Sequence, residues 1–221
     1  MKKILIIPIL VIVIVILYIG FHLPKSSTLD LGWNLVLVNN DFFIPFDYDL
    51  KLVQLDNHQQ VDKRIYADLN QMIKDMNDEG IYPTVSSGYR TIEDQYELLI
   101  EKMDGYKEVP GQDLINRYQL ARHTTENPYF SEHHLGIAVD FWIDGAINDL
   151  NPLIKEMYAW LQQNAHQYGF IQRYPSGKES ITKYNVNDFH YRYVGKEHAT
   201  YMYENNLCLE EYVEMLKEKD D

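Results

Sequence analysis

The sequence predicts an α+β fold: a small, mostly antiparallel sheet with flanking helices, preceded by one transmembrane helix. Segments with apolar residues at helical spacing are interspersed with short alternating runs, without a long βαβ series and without internal repeats. At 221 residues, 46% of them apolar, the chain can bury one substantial core.

Lys2 and Lys3 precede an apolar run over residues 4–21, interrupted by Pro8 and Gly20. That length is close to the minimum for a membrane-crossing helix. The run is rich in β-branched residues and has no polar face, unlike a buried helix of a globular core. The two lysines predict an N-inside orientation, which places the C-terminal domain outside the cytoplasm at the cell membrane. Neither an A-x-A-like cleavage site nor a lipidatable cysteine follows the run, so the helix is expected to remain as a single-pass anchor. The predicted division is an anchor over 1–23, a linker over 24–34 and a globular domain over 35–221.

Within the domain, residues 35–39 read as a strand. Val61, Ile65, Leu69, Ile73 and Met76 recur at helical spacing, predicting a helix over 61–77 that Gly80 ends. A strand over 81–86 leads into the turn Ser87-Gly88-Tyr89-Arg90. Thr91 and Asp94 then form a capping box that opens a helix over 92–103. Arg90 therefore stands at a strand-to-helix corner, a place from which side chains project into clefts. A Gly- and Pro-containing loop precedes a helix over 113–122. In the strand predicted over 136–142, Ile137, Val139 and Phe141 share one face, and Ala138, Asp140 and Trp142 share the other. Pro152 suits the first turn of a helix reaching residue 168, closed by Gly169. Strands over 170–173 and 189–194 and helices over 197–204 and 210–217 complete the chain.

The formal net charge is -13. A surface of that sign repels nucleic-acid phosphates, so no nucleic-acid partner is expected. Cys208 is the single cysteine, which excludes an intramolecular disulfide and a cysteine-rich metal cluster; it is expected to be buried in a C-terminal helix.

Two of the eight histidines fall in organised contexts. His133 lies in Ser131-Glu132-His133-His134-Leu135-Gly136-Ile137-Ala138-Val139-Asp140, and His190 in Phe189-His190-Tyr191-Arg192-Tyr193-Val194-Gly195. Two imidazoles and the Asp140 carboxylate suit zinc and leave a fourth position for water. Spacing alone leaves the alternative open, in which each is a hydrogen-bonded structural residue.

The pattern S-x-H-x-x-G-x-A-x-D, with S-G-Y-R-T around Arg90 and H-Y-R-Y-V-G around His190, resembles the zinc D,D-carboxypeptidase family of the VanY type, which also contains L,D-carboxypeptidases of peptidoglycan. Flanking segments such as Leu37-Val38-Asn39-Asn40 and Tyr168-Gly169-Phe170-Ile171 follow in the same order. The resemblance implies removal of a C-terminal D-amino acid from peptidoglycan stem peptides, with Zn2+ held by His133, Asp140 and His190. It also implies that Arg90 faces the scissile carbonyl. Ser131 and Gln95 lie in matched segments and are candidate substrate hydrogen-bonders; a turn cap or a helix-surface position fits them equally. Tyr89, Tyr174 and Tyr191 are candidate cleft residues.

The family carries its general base, a glutamate, three residues before the last histidine. This chain reads Asn187-Asp188-Phe189-His190 there. An asparagine amide takes no proton from water at neutral pH, and loss of a positioned base costs about 10²–10⁴ in rate. Strand alternation would place Asp188 on the face of His190, which makes Asp188 the expected substitute. The rival expectation is a zinc-containing domain that binds wall peptides as a sensor or scaffold and hydrolyses them weakly or not at all.

Overall fold

The structure, a computed structural model, describes residues 25–27, 31–111 and 113–220. The expected membrane-spanning segment, residues 4–21, lies outside the described residues. Among the described residues no helix is long and apolar enough to cross a membrane.

The strands are β1 (Lys25–Ser26), β2 (Phe42–Phe43), β3 (Leu52–Gln54), β4 (Gln60–Asp62), β5 (Thr84–Ser87), β6 (Ala138–Trp142), β7 (Phe170–Tyr174) and β8 (Asn187–Tyr193). The helices are α1 (Tyr66–Asp78), α2 (Ile92–Asp104), α3 (Leu114–Ala121), α4 (Pro152–Asn164), α5 (Glu179–Thr182), α6 (Lys196–Glu204) and α7 (Leu209–Asp220). At the centre is a four-stranded antiparallel sheet in the order β5-β6-β8-β7. β3 and β4 form an antiparallel pair, and β1 and β2 a short parallel one.

Alternation in β6 follows the sequence. Val139 and Phe141 turn into the main core with Phe170, Tyr191 and Tyr193 of the neighbouring strands. Leu69, Met72 and Met76 of α1 and Ile154, Met157 and Leu161 of α4 cover that face. Each fully buried aliphatic side chain of this kind is worth about 1.5–3 kcal/mol, so the sheet is held mainly from this side. Its other face is left to carry Asp140 and His190. A second cluster packs α6 and α7, through Ala199, Met202, Leu209 and Val213, against Ile171 and Val194. Cys208 is buried beside it as an unpaired thiol.

Three expected elements differ. Residues 35–39 form no strand ladder. Their side chains do alternate, Val36 and Val38 towards the main core and Leu35 and Leu37 towards the second cluster. Carbonyls along the segment accept from side chains instead, Val36 from Arg192, which also reaches Asn34, and Val38 from Arg173, and only Asn39 makes a bridge, an isolated one to Phe42. The helix expected over 61–77 starts only at Tyr66, after Val61 has paired with Val53 in the β3–β4 hairpin; a single Val at the right spacing serves either structure. The helix expected to reach residue 168 ends at Asn164 and tightens into a 3-10 turn, Ala165–Tyr168, closed by Gly169 at φ +89°. In the stretch read as a linker, Lys25 and Ser26 pair with Phe42 and Phe43, and Trp33 stacks on Tyr193 at 5.9 Å.

Candidate metal centre

The site is assembled from three pieces of chain. The first is the corner between β5 and α2. Thr91 Oγ1 accepts from the Asp94 amide and the Asp94 carboxylate accepts from the Thr91 amide, as the capping box predicts, which fixes where α2 starts. At Gly88 a Cβ would lie 2.2 Å from the Gln60 carbonyl oxygen, so only glycine lets this corner close onto β4. The close approach aims the Gly88 carbonyl at His133, whose Nδ1 donates to it at 2.6 Å.

The second piece is the 3-10 turn Glu132–Leu135, ended by Gly136 in the left-handed region at φ +66°. It presents His133 and feeds directly into β6. The third is β8, where His190 is the register partner of Asp140 on β6. Paired residues share a face of the sheet, and His190 Nδ1 lies 2.7 Å from Asp140 Oδ1.

The ligating atoms of His133, Asp140 and His190 all lie within 4.8 Å of one another, and all three residues are buried. Arg90 reaches into this group: its Nη2 is 2.7 Å from His133 Nε2 and 2.8 Å from Asp140 Oδ2. Arg90 Nε and Nη1 donate to Ser87 Oγ and Gln95 Oε1, each at 2.8 Å. The donors thus gather around positive charge, which is one test of whether the set fits a divalent cation. A second is the support behind each imidazole. The far nitrogen of His133 is held by Gly88, and His190 Nε2 faces Glu132 Oε2 at 3.6 Å. Such outer partners set the tautomer and orientation of metal-binding histidines, so the residues present fit a cation with nitrogen and oxygen ligands.

Behind His190 lies a buried ion network. Glu132 Oε1 accepts from Arg173 Nε at 2.8 Å and from Arg192 Nη1 at 2.7 Å, and Arg173 continues to Glu210. Burial by itself would raise the Glu132 carboxyl, but the two guanidiniums hold it well below the usual glutamate range. Sequence reading left Glu132 without a role. The signal was present: Arg192 sits between Tyr191 and Tyr193 and Arg173 beside Tyr174 in a strand that opens with Phe170 and Ile171, and a buried cation requires a buried anion.

The same logic sets the imidazoles apart. Burial opposes charge on His190, yet Asp140 and Glu132 more than offset it, and the group is pushed up to about 9. His133 is lowered by burial and by the Arg90 guanidinium. In the ion-free protein His190 therefore holds a proton at neutral pH that a cation must displace. Affinity for zinc is expected to rise about tenfold per pH unit up to about pH 9, with about one proton released per ion. Calorimetric titration in buffers of different ionisation enthalpy measures both; no proton release at pH 7 would contradict the assignment.

The centre opens on a cavity of about 390 Å³ whose wall includes Ser86, Lys102, Glu126, Asn187 and Phe189 as well as the three donors and Arg90. The remaining expected residues lie elsewhere. Gln95 is fully buried and spends both ends of its amide inside the protein, on Arg90 and on the Glu126 carbonyl. Ser131 is fully buried outside the cavity wall.

The structure does not bring Asp188 to the centre. Its carboxylate accepts from Gln172 at 2.9 Å and Gln162 at 3.3 Å, and it lines a separate cavity together with Tyr191. The cause is a local break in β8. Asn187 Oδ1 accepts from the amides of both Phe189 and His190 at 3.0 Å. The register with β7 shifts at the same place: Gln172 pairs with Tyr191, but Tyr174 pairs with Asn187. Period-two counting back from His190 fails across that irregularity. Of the tyrosines named from sequence, Tyr174 stacks on His190 at 5.4 Å, whereas Tyr191 lines the other cavity.

Two imidazoles and a carboxylate on an antiparallel sheet, with a guanidinium alongside and one side open to a cavity, define an α+β domain with a centre suited to a catalytic metal ion. Residues 58–196 match the family model VanY, described as D-alanyl-D-alanine carboxypeptidase, and the chain belongs to that family. It is 42% identical over 181 residues to a D-alanyl-D-alanine carboxypeptidase of Enterococcus faecalis, an alignment covering 82% of this chain and 66% of that protein. A crystal structure of a mutant of the vancomycin resistance D,D-pentapeptidase VanY, from a VanB-type resistance cassette, in complex with Zn(II) is similar at TM-score 0.77 and 42% identity, covering 82% of this chain and 99% of that one. VanYB in complex with D-alanine-D-alanine is similar at TM-score 0.77 and 42% identity, covering 83% of this chain and 98% of that one.

Proposed function

We propose that this chain is a zinc-dependent carboxypeptidase that removes a C-terminal D-amino acid, D-alanine, from peptidoglycan stem peptides. The observation that carries this reading is the convergence of His133, Asp140 and His190 within 4.8 Å beside Arg90, on the wall of an open cavity. D-alanyl-D-alanine is preferred as the cleaved end because the relatives at 42% identity bear that name or hold that ligand.

His133, Asp140 and His190 would hold the ion. Bound there, zinc would polarise the scissile carbonyl and lower the pKa of the attacking water towards about 7. Arg90 supplies a permanent positive charge next to the reacting carbonyl, where oxyanion charge develops. Gln95 acts on Arg90: its Oε1 fixes one guanidinium nitrogen, so Gln95 is a positioning residue. Glu132 acts on His190 by its charge, from the far side of the ring, with Oε2 3.6 Å from Nε2.

We further propose that the domain works outside the cytoplasm, held to the membrane by residues 4–21. The length and apolar character of that run and the location of the proposed substrate support this.

The experiment pairs metal analysis with product identification from synthetic tetra- and pentapeptides. One zinc per chain and release of D-alanine are expected, with release abolished by a chelator and restored by added zinc. Zinc-loaded protein that binds either peptide but releases no D-alanine would overturn the reading in favour of a peptide-binding domain.

A further inference from the structure

We propose that Glu126 is the general base of this site, taking over the task of the carboxylate that the family keeps three residues before its last histidine. The inference rests on the hydrolase reading above. Two carboxylates line the cavity among the described residues, Asp140 and Glu126. Asp140 is committed to His133, His190 and Arg90. Glu126 forms no ion pair among the described residues, and its one side-chain hydrogen bond, from Tyr174 Oη to its Oε1 at 3.4 Å, is long. It is a half-buried carboxylate on the cavity wall with most of its accepting capacity unspent.

Its position is fixed from two directions. The Glu126 carbonyl accepts from Gln95 Nε2 at 2.8 Å, and the same amide holds Arg90 through Oε1 at 2.8 Å. The side chain meets Tyr174, whose ring stacks on His190 at 5.4 Å and 18°. One residue is therefore tied by its backbone to the guanidinium and by its side chain to a ligand imidazole. Asn187 is also on the wall, but its side-chain oxygen is spent on two backbone amides and its amide is no base. The base has moved from the start of β8 to the segment between α3 and the 3-10 turn.

In the reaction, the water oxygen bonds to the scissile carbonyl carbon while one of its protons passes to the Glu126 carboxylate. Glu126 then gives that proton to the amide nitrogen as the C–N bond breaks. The remaining water proton moves from the new carboxyl group to the released amine. Glu126 returns to its starting state, and the products are a shortened peptide carboxylate and D-alanine.

The test uses the zinc-loaded full chain with Glu126→Gln, Glu126→Asp, Asn187→Glu and the double variant Glu126→Gln/Asn187→Glu. Glu126→Gln is expected to lower kcat by about 10²–10³, with KM and zinc stoichiometry unchanged. Glu126→Asp, one methylene short, should fall between it and the parent. The double variant should recover turnover, because a carboxylate returns at the family's position; a purely structural loss would not be rescued from there. Unchanged kcat in Glu126→Gln, a rise in KM alone, or failure of Asn187→Glu to restore the double variant would each overturn the proposal. A zinc-loaded parent chain without D-alanine release would instead sink the hydrolase reading itself.

Discussion

Replacing Glu132 with alanine is expected to destabilise the domain by about 3–5 kcal/mol, the largest stability effect of any single polar substitution in the site. Glu132, Arg173 and Arg192 are all within 1% of full burial. Arg173 would keep Glu210, but Arg192 would be left with only the carbonyls of Asn34, Val36 and Tyr193. A buried guanidinium without a counter-charge carries most of the cost. For a domain of this size the loss corresponds to a fall in Tm of about 6–20 °C, measured on metal-free protein by thermal unfolding.

The same substitution removes the group behind His190 Nε2, and zinc affinity should weaken by about 10–100-fold. In the parent chain the Glu132 contribution has a definite pH sign. The folded-state carboxyl is held below its ordinary value of 4.5, so the stabilisation is present above that pH and is lost as acid protonates the group. Unchanged Tm in Glu132→Ala would mean that the arginines are satisfied without it.

Arg90→Ala is expected to lower kcat by about 10²–10³, the cost of removing one oxyanion-stabilising donor, with KM little altered. Zinc binding separates this from a structural defect. Arg90 Nη2 stands 2.7–2.8 Å from two of the three ligating residues, so its removal takes a like charge away from the cation and should leave zinc affinity equal or higher. Arg90→Lys retains charge but not the planar fork that reaches Ser87, Gln95 and Asp140 together, and only partial recovery is expected. Loss of zinc from Arg90→Ala would show that the guanidinium serves the fold of the centre rather than the reaction.

Much of the centre was legible in the chain. The capping box at Thr91 and Asp94 and the alternation in β6 are local patterns, and both held; Gly136, expected inside that strand, instead ends the 3-10 turn before it. Those two patterns place Arg90 at a corner and Asp140 on the face opposite the core. His133, Asp140 and His190 were implied as a ligand set by the family resemblance of their motifs, where side-chain chemistry and spacing alone left a structural role open.

Other assignments failed where a local rule met a long-range contact. Residues 35–39 have the pattern of a strand, yet their carbonyls are capped by Arg173 and Arg192 from more than a hundred positions away. Asp188 is two residues from His190 but belongs to another cavity, because the Asn187 side chain and the β7 register break the alternation between them. Glu126 offers no pattern at all in a loop of irregular sequence; its place on the cavity wall comes from Gln95 and Tyr174.

The sequence by itself determined the kinds of side chain available, the periodic elements that carry them and the family they belong to, because those depend on neighbours within a turn or a strand. Only the tertiary structure decided which carboxylate faces the centre and which anion neutralises the buried arginines. Those outcomes depend on desolvation and on charges brought together from distant segments, and no spacing along the chain encodes them.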